Sequence, residues 1–215
     1  PNFFFANNHL FDDAPRTHDI YVGEYACNGR VGAGNLLAAI SEAAFIMGME
    51  RNSDVVKMSS YAPLFENENH RDWPCNLIHI NSSEVFGRAS YYVQQMAAEN
   101  CPTYNIYVSE PTTGDPKNTR HFCQTGYDEQ TSELIIKVVN GTDQPYRRSF
   151  TIEGAQNVMP TGRVITLCGN AQDENTFEQP TKLAPVETRF GKFGKDFEYE
   201  FAPMSFTIMR VNVNK

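Results

Sequence analysis

The first hundred residues alternate short apolar runs with stretches whose apolar residues recur every three or four positions. Ile20 to Ala26 predicts a short buried strand, and a glycine-rich loop follows it. Asn35 then stands at the position of an N-cap, before a helix that should end near Gly48. Val55 to Ser60 predicts a second strand. Because right-handed crossovers are usual, we expect two adjacent parallel strands joined by this helix. Its buried face is predicted to contain Leu37, Ile40, Ala44 and Met47.

Beyond about Cys101 the apolar positions change to a period of two, which is typical of half-exposed antiparallel strands. Glu133 to Val139 predicts one strand, and the Asn140-Gly141 pair that follows favours a hairpin with Tyr146 to Glu153. Phe197 to Phe201 places three aromatic residues on one face and two carboxylates on the other. Further strands are predicted over Val164–Cys168, Ala184–Phe190 and Ser205–Val213.

These patterns predict an α/β fold followed by an all-β fold. A helix over Ser90 to Glu99 completes the first part, and an antiparallel β-sandwich should begin by about residue 112. The boundary is expected within Cys101 to Pro116, where prolines and a glycine interrupt the pattern. We place it between residues 101 and 102, which gives domains of residues 1–101 and 102–215.

Charge and composition exclude several classes of protein. The net charge is −8, and the 18 Lys and Arg residues form no basic stripe, so nucleic acid is not an expected partner. No apolar stretch is long enough to span a bilayer, so no membrane partner is expected. The five cysteines have no metal-binding spacing and are expected to be mostly free and buried.

Glu24 is the leading candidate for chemistry, because it ends a short apolar strand just before a glycine-rich loop. In βα barrels, catalytic groups lie at the C-terminal ends of strands. A carboxylate that only caps the loop, or pairs with Arg30, is the alternative interpretation. Glu42 is expected to be an exposed or interface carboxylate on the helix.

The polar segments around the second strand offer weaker candidates. Local salt bridges are expected among Glu50, Arg51 and Asp54, which link the helix to this strand. The long loop after the strand contains Trp73, which could provide a platform for a sugar ring or could pack in the core. This loop also carries Glu66, Glu68, His70 and Asp72.

Several runs together resemble the α-L-arabinofuranosidases of glycoside hydrolase family fifty-one. The most specific is Gly48 to Phe65, and Val22-Gly-Glu-Tyr-Ala and Leu36 to Phe45 precede it. The resemblance continues through Ser90–Gln94, Asn175–Lys182 and Ala202–Thr207 and so covers nearly the whole chain.

The resemblance implies a (β/α)8 barrel followed by a C-terminal β-sandwich. Residues 1–101 would then carry barrel strands seven and eight with their helices, and residues 102–215 the sandwich. Glu24 maps onto the nucleophile of the family, whereas its acid/base glutamate would lie upstream of Pro1. Asn28 and Pro63 stand where some bacterial members have an aromatic residue and a glutamine, so the sugar contacts would differ. Asn28 and Trp73 are the candidate substrate-binding residues.

By the same resemblance, the parent protein would release terminal α-L-arabinofuranosyl residues from polysaccharides or oligosaccharides, with no metal or organic cofactor. Its partners would be an arabinofuranosyl-containing glycan, the upstream part of the same polypeptide and, in a homo-oligomer, further copies of itself. The protein would be secreted or periplasmic, with a signal segment upstream of this chain. The 215 residues alone would be inactive. The alternative function is that of a non-catalytic carbohydrate-binding or structural β-sandwich module.

Overall fold

The computed structural model describes residues 1–109 and 118–214, which form a parallel βαβ unit followed by antiparallel sheets. Strand β1 (Ile20–Tyr25) pairs in parallel with β2 (Val56–Tyr61), and helix α2 (Leu36–Arg51) connects them. The side chain of Asn35 accepts a hydrogen bond from the backbone N–H of Ala38, as expected of an N-cap. The predicted parallel pair, helix and cap are confirmed.

Helix α2 continues three residues beyond its predicted end at Gly48. Gly48 is needed for close packing, because a Cβ there would overlap the backbone carbonyl of Asn8. The prediction of one buried face was also too narrow, since twelve helix residues are buried and Leu37 is only half-buried. A helix covered on most sides shows no clear apolar stripe.

Short elements that the sequence patterns did not reveal surround this unit. Helix α1 (Asn2–Ala6) precedes it, and a small sheet pairs β3 (Phe65–Asn67) with β4 (Ile78–Ile80) and β5 (Val85–Gly87). Helix α3 (Ala89–Glu99) follows and confirms the second predicted helix.

The strands of the second half are antiparallel and form two sheets. The larger sheet has the order β12-β11-β14-β8-β7-β6, with β10 also paired to β14, and the smaller pairs β9 with β13. The bounds of the larger sheet are β6 (Tyr104–Ile106), β7 (His121–Asp128), β8 (Glu133–Asn140), β10 (Asn157–Val158), β11 (Gly162–Cys168), β12 (Val186–Phe190) and β14 (Ser205–Asn214), and those of the smaller are β9 (Tyr146–Thr151) and β13 (Asp196–Phe201).

The predicted hairpin across Asn140 and Gly141 is wrong. Strand β8 pairs with β7 and β14, whereas β9 crosses to the other sheet and pairs with β13. The buried Asn140 amide donates to the carbonyls of Gln144 and Ala202, so its side chain fixes the crossover. An Asn-Gly pair therefore marks a change of sheet in this protein.

Two cores lie on opposite faces of the larger sheet, as expected of a layered β structure. Ile136 and Val138 of β8 pack against the aromatic residues Phe197 and Phe201 of β13, which confirms the predicted alternation along that strand. Ile135 and Val139 face the other way, into a core shared with α2 and α3. The large antiparallel sheet agrees with a C-terminal sandwich. The division between residues 101 and 102 stays a prediction, and the expected start of the sandwich near residue 112 lies outside the described residues.

The charged link between α2 and β2 makes long-range contacts, and the expectation of local salt bridges is wrong. Glu50 pairs with Lys137 of β8 at 2.5 Å, where both side chains are largely buried. Arg51 pairs with Asp12, and Asp54 pairs with Arg16. The spacing of charged residues in the sequence does not reveal partners this far apart along the chain.

Among the described residues, no helix is long and apolar enough to cross a membrane.

Candidate active site

Glu24 is the penultimate residue of β1, at the C-terminal end of the parallel pair, and its side chain is exposed. Among residues 1–109 and 118–214, no hydrogen bond or ion pair reaches its carboxylate, so the alternative pairing with Arg30 is not observed. Asn28, in the loop after the strand, is also exposed. A carboxylate in this setting is accessible to a substrate.

A layer of aromatic residues supports the strand end directly beside Glu24. The buried ring of Tyr25 meets that of Tyr61, from the end of β2, edge to face at 5.6 Å between centroids. The Tyr25 hydroxyl also hydrogen-bonds the Gln94 amide of α3. Burial raises the pKa of Tyr25 to about 12, so the hydroxyl stays protonated. These contacts connect the ends of both strands with each other and with helix α3.

Glu42 is completely buried, which corrects the expectation that it is exposed or at an interface. Its Oε1 accepts hydrogen bonds from the backbone N–H of Cys27, at 2.6 Å, and from the Tyr61 hydroxyl, at 3.3 Å. Its Oε2 has no hydrogen-bond partner among the described residues. Burial, only partly opposed by the nearby Ser90 side chain and by these two donors, raises the pKa of Glu42 to about 7.

The raised pKa predicts how Glu42 affects stability. The folded chain favours the neutral carboxyl, so its stabilising effect is full below about pH 4.5 and is lost as the pH rises to about 7. Glu42→Gln, which stays neutral, should therefore gain about 3 kcal/mol in the free energy of unfolding relative to wild type across this window. Urea denaturation of the 215-residue chain at a series of pH values measures this difference.

The exposed Glu153→Gln, which also removes one carboxylate, is the matched control and should follow the wild-type curve. Parallel curves for wild type and Glu42→Gln would show that Glu42 titrates normally.

The long loop after β2 contains a buried polar network that the sequence did not indicate. His79 accepts a hydrogen bond from the Arg88 guanidinium at Nε2, and its Nδ1 contacts the Glu68 carboxylate. A guanidinium can only donate, so Nε2 of His79 must be the unprotonated acceptor. The proton of the neutral ring is therefore on Nδ1. Burial and the Arg88 charge lower the pKa of His79 to about 4, in agreement with this neutral ring. A histidine and an arginine in a polar stretch gave no signal of burial.

The other loop candidates have different environments. Glu66 is buried and accepts a hydrogen bond from the Asn76 amide, whereas His70 and Asp72 are exposed. Trp73 is 53% exposed, so it is not a core residue. No described contact joins Trp73 to Glu24 or Asn28.

The cysteines differ in burial from the expectation. None of the five described cysteines forms a disulfide, but only Cys27 and Cys75 are buried, while Cys101 and Cys168 are exposed and Cys123 is half-buried. In residues 1–109 and 118–214, no three His, Cys, Asp or Glu side chains cluster so as to hold a metal ion.

A separate cavity of about 670 Å³ lies in the antiparallel half. Tyr104, Tyr127 and Phe150 line it, and Tyr107 at its edge is 89% exposed. Its volume is within the range of small-molecule sites. The cavity is the feature that favours the alternative function, sugar binding by the sandwich.

Comparison with known proteins connects this geometry with one family. The family model "Alpha-L-arabinofuranosidase C-terminal domain" matches residues 23–205. Alpha-L-arabinofuranosidase 1 of Arabidopsis thaliana is 34% identical over 209 residues, which cover 94% of this chain and 30% of that protein. An extracellular exo-alpha-L-arabinofuranosidase of Streptomyces chartreusis is 36% identical over 138 residues, covering 60% of this chain and 16% of that protein.

Solved structures agree with the family match. An arabinose-bound α-L-arabinofuranosidase of glycoside hydrolase family 51 superposes with a TM-score of 0.90 and 26% identity, over 100% of this chain and 36% of that one. The chain spans 30% of the length of its Arabidopsis relative. The 215 residues belong to the α-L-arabinofuranosidase C-terminal domain family.

Proposed function

We propose that this chain is part of a retaining α-L-arabinofuranosidase in which Glu24 is the nucleophile. The observation that carries the proposal is the position of Glu24. Its carboxylate is exposed at the C-terminal end of a parallel βαβ strand, within a chain whose relatives are α-L-arabinofuranosidases. The βαβ unit would supply strands seven and eight of a catalytic barrel.

The chemistry requires two carboxyl groups about 5 to 5.5 Å apart. Glu24 would attack the anomeric carbon and form a glycosyl ester, while a second carboxyl protonates the departing oxygen. The second group, then a carboxylate, would take a proton from water, which attacks the ester and releases arabinose with its configuration retained. By the resemblance, this second group would lie upstream of Pro1. Glu24 therefore supplies half of the catalytic pair.

The substrate would be a polysaccharide or oligosaccharide with terminal α-L-arabinofuranosyl residues. Asn28 and Trp73 would contact it, since both are exposed and Asn28 follows Glu24 by four residues. The protein would be secreted or periplasmic, as the extracellular Streptomyces relative suggests. The protein would also assemble into a homo-oligomer.

Covalent labelling tests the proposal directly. An arabinofuranose mimic with an epoxide at the anomeric position should be opened by Glu24 in the full-length parent and leave a stable ester. Trypsin releases residues 17–30 as one peptide, in which Glu24 is the only glutamate. Mass spectrometry should find the label on that peptide, and excess arabinose should slow its attachment.

Labelling elsewhere would exclude Glu24 as the nucleophile. If the parent neither reacts with the mimic nor releases arabinose, but the chain binds arabino-oligosaccharides, the alternative of a carbohydrate-binding sandwich would hold. That alternative would place the sugar in the cavity lined by Tyr104 and Phe150.

A further inference from the structure

The β11–β12 loop of the antiparallel half reaches across to the segment that follows Glu24. We define its residues 171–174 as the clamp. Two of its carbonyls, those of Asp173 and Ala171, accept hydrogen bonds from the first two N–H groups of α2, on Leu36 and Leu37, at 2.9 and 3.0 Å. The first N–H groups of a helix have no partner within the helix, so they need acceptors from elsewhere. The clamp supplies two of these acceptors.

Glu174 extends the clamp into the loop between β1 and α2. Its Oε1 accepts a hydrogen bond from the backbone N–H of Ala33 at 3.1 Å. The same oxygen lies against Gly32, where φ is +56° and a Cβ would overlap it. Gly32 thus meets two requirements that a larger residue would fail, a left-handed backbone and close approach of a carboxylate. Beside it, the Gln172 side chain accepts from the Asn35 amide at 2.8 Å.

The clamp is also held in place by hydrogen bonds to residues outside the loop. The Asp173 carboxylate accepts hydrogen bonds from the backbone N–H of Asn170 and from Lys182, both at 2.9 Å. The buried Asn175 amide donates to the carbonyls of Gly87 and Leu183 at 2.9 Å. A segment fixed at both ends can determine the position of the part of the glycine-rich loop that it contacts, Gly32 and Ala33, while Val31 beside them is buried in the core.

We propose that Glu174 is a positioning residue for the nucleophile. It fixes Gly32 and Ala33, and through them the loop that begins directly after the strand of Glu24. The other end of this loop is held by the Glu42 contact with the Cys27 N–H. The antiparallel half therefore contributes to the geometry of the catalytic end, beyond covering the βαβ unit. This inference rests on the proposed function.

The test compares three variants of the full-length parent on an aryl arabinofuranoside. Glu174→Ala removes the acceptor of the Ala33 N–H and should lower kcat about tenfold with less than about threefold change in KM, because a misplaced nucleophile slows attack more than binding. Glu174→Gln keeps an acceptor oxygen and should lose much less. Glu178→Ala, in the same loop but exposed, is the matched control and should behave as wild type.

Amide hydrogen exchange gives a second readout. Exchange in residues 26–35 should be faster in Glu174→Ala than in Glu178→Ala, since the loop loses the hydrogen bond that holds Ala33. An active wild type whose kcat is unchanged by Glu174→Ala would overturn this inference and leave the proposed function intact. A fall in kcat with unchanged exchange in residues 26–35 would also overturn it. An inactive wild type would overturn both.

Discussion

Glu24→Ala in the full-length parent should lower kcat on the order of 10³-fold or more, while the protein keeps its stability. The rate falls because no other group can form the glycosyl ester. Stability should change by less than about 0.5 kcal/mol, because the side chain is exposed and no described contact reaches it. Turnover of an aryl arabinofuranoside and a thermal melt measure the two quantities.

Azide should partly restore cleavage by Glu24→Ala. The small anion can occupy the space of the lost carboxylate and attack the same face of the sugar, so the product should be an arabinofuranosyl azide of inverted configuration. Wild type gives no such product, since its own carboxylate attacks first. Near-normal turnover in Glu24→Ala, or an azide of retained configuration, would rule out Glu24 as the nucleophile.

The elements that the sequence predicted correctly are determined by nearby residues. The N-cap at Asn35 and the apolar runs of β1 and β2 act over a few positions, and a parallel pair with a helical crossover has one usual handedness. Strand β13 was equally clear because its aromatic residues alternate with Glu198 and Glu200. Local signals of this kind can be found in a single sequence.

The wrong predictions share a different cause, which is a partner distant in the sequence. Gly48 suggested a helix end, but it is a glycine because Asn8 packs against it. Asn140 suggested a hairpin, but its amide holds the carbonyl of Ala202. A single sequence names neither partner.

The same cause limits what could be said of the candidate site. Glu42 was expected to be exposed or at an interface, because a glutamate inside a helix is rarely buried. Its donors, Cys27 and Tyr61, lie 15 and 19 residues away. The position of Glu24 followed from its strand and loop. Its role came from the resemblance, since an exposed carboxylate has no local pattern that identifies a nucleophile.

A polypeptide of these 215 residues alone should show no detectable hydrolysis of an aryl arabinofuranoside. Without a second carboxyl near Glu24 the departing oxygen leaves unprotonated, and general acid catalysis contributes roughly 10² to 10⁴-fold. An activated aryl leaving group would reduce that loss. The geometry of the parallel pair lowers the rate further. Two strands leave the sugar open to water on the side where a closed barrel would enclose and orient it.

Exposed apolar residues of the same pair give this prediction a second observable. Tyr21 of β1 and Met58 of β2 are 57% and 64% exposed, and Phe65 just beyond is 61% exposed. An apolar surface of this kind favours association, so the polypeptide should self-associate or bind the remainder of its parent. Light scattering at increasing concentration would detect the first, and copurification with the remaining segment the second.

The decisive measurement is a fluorogenic assay on the purified 215-residue polypeptide beside the same polypeptide carrying Glu24→Ala. Equal background rates are expected, because neither sample holds a complete pair of carboxyl groups. The Glu24→Ala sample also controls for a contaminating hydrolase, whose activity would be the same in both. Activity that Glu24→Ala abolishes, in a sample shown by mass to contain only residues 1–215, would mean that the second carboxyl lies within these residues. Substituting the acidic residues of the loop after β2, beginning with Glu66 and Glu68, would then identify it.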